Sequence, residues 1–100
     1  MVIVGGTFEV DPSQREQFLA SRLDMMRASR GEPGCLEYTF APDPLDDGRV
    51  VLFEIWASQN DLDAHLVALR AGSQPADTGI TAVTSSITLY DVAGERRLGH

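Results

Sequence analysis

Residues 35–41, CLEYTFA, alternate cleanly, with Leu36, Tyr38 and Phe40 on one face and Glu37 and Thr39 on the other. Such a period of two predicts a strand with one face on a core. The segment 50–56, VVLFEIW, differs, because Val51, Phe53 and Ile55 fall on one side and Val50, Leu52, Glu54 and Trp56 on the other. Both of its faces are mostly apolar, so both need cover. Residues 2–10, VIVGGTFEV, predict a third strand, and the pair Gly5 and Gly6 inside it implies that something approaches the backbone closely, a ligand being one reading. A last strand is expected over 83–92, VTSSITLYDV.

Between the first two strands the period changes. Asp11 stands as an N-cap, Pro12 fits the first helical position and Gln14 follows three after the cap, so a helix is expected to run to about residues 29–30, where Gly31 and Pro33 stop it. Its apolar arc is Phe18, Leu19, Leu23 and Met26, and Arg22 falls inside it, as a snorkelling stem with a solvated head. Ser58 with Asp61 forms a capping box for a second helix, whose stripe is Leu62, Leu66 and Leu69 with His65 at its edge; residues 71–79, AGSQPADTG, break it. The loop 42–49, with its prolines, aspartates and glycine, is a long hairpin connection between the strands 35–41 and 50–56 and lacks the alternating acidic positions of a calcium loop.

Strand, helix, strand, strand, helix, strand is the split βαβ order of an α+β, ferredoxin-like domain: an antiparallel sheet with both helices on one face. One domain over 1–92 with a polar tail at 93–100 is expected, without repeats or a linker. The other sheet face then needs a cover, which a homodimer through that face supplies most simply.

Charge and cysteine usage narrow the partners. Eight Lys and Arg against 15 Asp and Glu leave a net charge of −7 on 100 residues, which repels phosphate backbones and anionic membranes, so no nucleic-acid or membrane partner is expected. Cys35 is the one cysteine, which excludes an internal disulfide and any CxxC site. The first residues lack the pattern of a signal peptide, and a cytoplasmic protein is expected.

Alternation puts Glu54 on the same face as Trp56, and a carboxylate in a dry core costs several kcal/mol, so that face should border a gap or a polar partner. Burying the leucines of the second helix carries His65 toward the same face. An indole for stacking, an imidazole for proton transfer and a carboxylate to hold its tautomer would line one pocket. The structural alternative is that Trp56 and His65 belong to the core and that Glu54 pairs with Arg22 as an ion pair. Cys35, Met25 and Met26 read as packing residues. No nucleophile triad, metal cluster, phosphate loop or dinucleotide fingerprint is present in the sequence.

The stretch SRGEPGCLEYTF, followed by a loop and then VVLFEIWASQNDLDAHL, resembles the antibiotic biosynthesis monooxygenase family, with its Glu-Pro-Gly-Cys-Leu-x-Tyr, its Glu-x-Trp and a His in the next helix. The likeness runs from FEVDPSQREQFL to ITLYDV. It implies a ferredoxin-like protomer, dimerised through its sheet into an α+β barrel, with a cleft between sheet and helices. It further implies oxidation of a small phenol, quinol or aromatic polyketide by molecular oxygen, with no cofactor and no metal. Trp56 then matches the family's pocket tryptophan and His65 its helix histidine, while Glu32, Tyr38 and Glu54 match motif positions. Relatives of this fold degrade haem, yet the asparagine they carry on the first strand is replaced here around Gly5, Gly6 and Thr7.

The expected site is therefore His65 and Trp56 as catalytic groups, with Gly5, Gly6, Arg22, Glu54 and Trp56 around the substrate. The competing readings are a non-catalytic dimer that binds a small aromatic or isoprenoid ligand, and a subunit whose cleft its own side chains fill.

Overall fold

The structure, a computed structural model, describes residues 1–72 and 82–99. Strands β1 (Val2–Glu9), β2 (Cys35–Pro42), β3 (Arg49–Trp56) and β4 (Thr84–Asp91) form one antiparallel sheet in the order β2-β3-β1-β4. This is the ferredoxin-like α+β arrangement that the element order predicts. Helices α1 (Arg15–Ser21), α2 (Leu23–Arg30) and α3 (Gln59–Arg70) supply its helical layer. All three reach the same sheet face: the Phe18 ring of α1 lies 5.6 Å from Phe8, Met26 of α2 is buried beside Phe40, and His65 of α3 stacks near Trp56. The apolar contacts made there, not helix propensity, hold these short helices.

The β3 alternation is as read: Val50, Leu52, Glu54 and Trp56 are buried under the helices, and Phe53, on the opposite face, is 42% exposed. On β2 the pattern slips. Cys35 pairs with Trp56 and Glu37 with Ile55, so Leu36 is an extra residue in a bulge and is 59% exposed rather than on the core face with Tyr38 and Phe40.

The single helix expected up to residue 30 is also corrected. A 3-10 turn (Pro12–Gln14) follows the Asp11 cap, and the chain breaks between α1 and α2 at Arg22. There the Ser21 hydroxyl donates to Phe18 O at 2.6 Å, and the Arg22 N–H bonds three residues back to Leu19 O. A hydroxyl competing for a helical carbonyl bends a helix in this way. The break exposes Leu23 and turns Arg22 inward, so Arg22 is 7% exposed instead of snorkelling. Its guanidinium lies 4.2 Å from the centre of the Phe18 ring and its Nη1 donates to Ser21 Oγ at 2.9 Å.

The Ser58 cap of α3 is present, its hydroxyl accepting from Asp61 N, and Gly72, at φ 74°, closes the other end. The rest of the break expected over 71–79 lies outside the described residues. Residues 93–99 form neither helix nor strand and are exposed.

Candidate active site

A cleft of about 410 Å³ opens between the sheet and the helices, within the size range of small-molecule sites. Leu66 and Leu69 of α3 and Met25 of α2 form one side, and Ile87 and Leu89 of β4 extend the floor. Its polar groups are few: Arg22, Tyr38, Glu54 and His65. A larger depression of about 570 Å³ beside the 42–49 loop is lined by Glu9, Asp46 and Asp47 and brings no acid and base together.

His65 is placed by a turn that lies far from it in sequence. Gly34 takes φ 77°, and a Cβ there would run into the Asp61 side chain, so the turn Glu32, Pro33, Gly34 sits directly on the first turn of α3. Ala57 N donates to Gly34 O at 2.8 Å and ties the turn to the end of β3. His65 follows Asp61 by four residues and shares its helix face. Its Nδ1 meets Glu32 Oε1 at 2.6 Å. A carboxylate at Nδ1 fixes the Nδ1–H tautomer and leaves the Nε2 lone pair as an acceptor. His65 is 2% exposed, whereas the Glu32 side chain is 21% exposed, so this pair leads from the cleft wall toward solvent.

Trp56 and Glu54 form a second pair. The indole Nε1 donates to Glu54 Oε1 at 2.9 Å, as two residues on one strand face can. Trp56 is fully buried and does not line the cleft; the His65 ring covers it, with centroids 4.7 Å apart and planes inclined by 35°. The indole thus backs the imidazole and offers no open face for a substrate. Burial raises the Glu54 carboxyl above the ordinary range, opposed by the Trp56 hydrogen bond and the nearby His65. Burial, with the Glu54 charge adding to it, pushes the Tyr38 hydroxyl up as well, so Tyr38 is a neutral phenol. Ser29, fully buried, lies near that hydroxyl but makes no hydrogen bond of good geometry.

The hydrogen bond that Glu54 makes is with the Trp56 indole, and the carboxylate that holds His65 is Glu32. Gly5 and Gly6 are approached by the chain itself: a Cβ on Gly5 would lie 3.4 Å from Tyr90 Cε2, and one on Gly6 would lie 3.3 Å from Ile87 Cγ1. Gly5 belongs to the helix-free face, away from the cleft. The role of Glu32 escaped the sequence reading, which gave it only as a position that matches the family motif. Burial keeps the Cys35 thiol protonated, and no cluster of three His, Cys, Asp or Glu side chains is placed to hold a metal ion among the described residues.

An apolar cleft that ends in a carboxylate-held imidazole and a buried acid is a candidate small-molecule site on a ferredoxin-like scaffold. The profile of the antibiotic biosynthesis monooxygenase family matches residues 1–68, and the chain belongs to that family. An uncharacterized protein of Synechocystis is 36% identical over 64 residues, which are 64% of this chain and 44% of the relative, so the chain spans less than half the length of that curated relative. Among solved structures, a candidate antibiotic biosynthesis monooxygenase of Deinococcus radiodurans superposes with a TM-score of 0.73 at 23% identity, covering 100% of both chains. The haem degrader MhuD of Mycobacterium tuberculosis, solved with two haems in its active site, gives 0.76 at 15% identity over 97% of this chain and 100% of its own. A further M. tuberculosis protein is 27% identical, with a TM-score of 0.68 over 96% of this chain and 98% of its own. Among the described residues no helix is long and apolar enough to cross a membrane.

Proposed function

We propose that the protein is a cofactor-free monooxygenase that oxidises a small phenol, quinol or aromatic polyketide with molecular oxygen, as a homodimer joined through its helix-free sheet face. The observation that carries this reading is the 2.6 Å contact of Glu32 with His65 Nδ1 at the wall of an apolar cleft. His65 Nε2 accepts the proton of a substrate hydroxyl, and Glu32 stabilises the imidazolium that results. The phenolate then gives one electron to oxygen, the radical pair combines at a conjugated CH carbon to a peroxide anion, and the proton held on His65 returns to it to give the hydroperoxide. Loss of water leaves a new carbonyl, so one oxygen atom enters the product and the other departs as water. Trp56 acts as a positioning residue, holding the ring of His65 from behind.

Support for the dimer is the helix-free face, where Phe53 and Tyr90 are 42% and 55% exposed. The functional test is oxygen uptake by protein treated with a chelator, against a panel of quinols and anthrones. Turnover that scales with protein and survives chelation supports the reading. A ligand that binds in the cleft while every panel member stays at its background autoxidation rate replaces it with binding alone.

A further inference from the structure

Glu54 is the polar group of the cleft that neither the fold nor the transfer of a proton to His65 requires. It sits mid-strand, opposite Tyr38 on β2 and Val4 on β1, with Leu89 next in line on β4. A leucine would suit that row better, because a buried carboxyl is costly unless partners replace the water it loses. One oxygen has its partner, Oε1, which accepts from the Trp56 indole at 2.9 Å. The other, Oε2, receives no hydrogen bond from any described residue, yet it is not a sealed orphan, since Glu54 lines the cleft. The indole therefore holds the carboxyl by one oxygen and leaves the second without a partner in a largely apolar cleft whose other polar groups are Arg22, Tyr38 and His65. Trp56 touches both groups, donating to Glu54 at 2.9 Å and lying 4.7 Å from the centre of the His65 ring, and both line one cleft, so a ligand that reaches one can reach the other.

We propose that Glu54 Oε2 is the specificity determinant of the cleft, accepting a hydrogen bond from a second ligand hydroxyl beside the one that meets His65. The ligand class is then an apolar molecule with two neighbouring hydroxyl donors, and capping the second donor with a methyl group removes it from the class. A site that hydrogen-bonds a hydroxyl discriminates strongly against the analogue without it, because the protein group is left buried and unmatched. This rests on the cleft of the oxygenase reading but not on turnover.

The test is binding under nitrogen of 2,3-dihydroxynaphthalene and its monomethyl ether, followed by calorimetry and by the indole N–H resonance of Trp56, the one tryptophan of the chain. The wild type is expected to bind the diol about tenfold or more tightly than the ether, the worth of one hydrogen bond to a charged group. Glu54→Gln, which can still accept from Trp56 but offers an amide N–H on its other side, should close that gap, while His65→Ala should weaken both probes and keep the gap. Equal affinities in the wild type, no measurable binding of either probe, or a gap that survives Glu54→Gln overturns the proposal. A Glu54→Gln protein that fails to fold leaves the wild-type ratio and its persistence in His65→Ala to decide. Failure of the oxygenase reading would look different, with the gap intact and no oxygen consumed.

Discussion

At His65 the ring is held on two sides, by the Glu32 carboxylate at Nδ1 and by the Trp56 indole across its face. If His65 is the base, His65→Ala lowers turnover by roughly two to four powers of ten. Glu32→Ala lowers it less, and ring nitrogen-15 shifts should change from the Nδ1–H tautomer to a mixture; an unchanged tautomer would show that Glu32 does not orient the ring. Glu54 carries a pH dependence of known sign. Its folded acid is weaker than the ordinary value of 4.5, so the stability associated with the protonated form is complete below 4.5 and is lost as pH rises through the raised folded value. Glu54→Gln removes that loss. Urea unfolding should find the variant gaining on the wild type between pH 4 and pH 8, and parallel curves would contradict the assignment. The sequence makes the Glu54 and Trp56 pairing accessible, because alternation alone puts positions 54 and 56 on one face. It does not disclose Glu32, which is 33 residues from His65 and meets it only through the docking of a turn on a helix.

That docking is an interaction between elements, and Gly34 is its hinge point. Gly34→Ala introduces a Cβ at φ 77° and against Asp61, which should cost at least about 1–2 kcal/mol from the left-handed backbone alone. Thermal unfolding measures the loss, and the Glu32 to His65 contact should loosen with it; wild-type stability and a wild-type His65 tautomer would refute the role given to the turn. The order of elements and the α3 cap follow from periodicity and capping chemistry, which are local. Two local features escaped it. The bulge at Leu36 breaks the constant register that an alternation argument assumes, and the break at Arg22 comes from a hydroxyl bonding back to Phe18 O, which apolar spacing does not register. Both matter to the cleft, since the break is what turns Arg22 inward to its wall.

For the molecule as a whole, the helix-free face and the cleft lie on opposite sides of one sheet. Phe53 and Trp56 show the division on a single strand, one 42% exposed and the other fully buried. In the proposed dimer Phe53 is covered by the partner, so Phe53→Glu should convert a dimer at micromolar concentration into a monomer by light scattering, without opening the cleft; a wild type that is already monomeric would remove the dimer from the account. The central claim is that the chain's own residues drive oxygen transfer to a phenolic substrate. Mass spectrometry of the product formed under oxygen-18 gas, with chelated protein and an anthrone, tests it most directly. One labelled oxygen in the product and one in water, at a rate reduced at least about a hundredfold in His65→Ala, is the predicted result; a product without label, or labelling at the same rate without the protein, contradicts it.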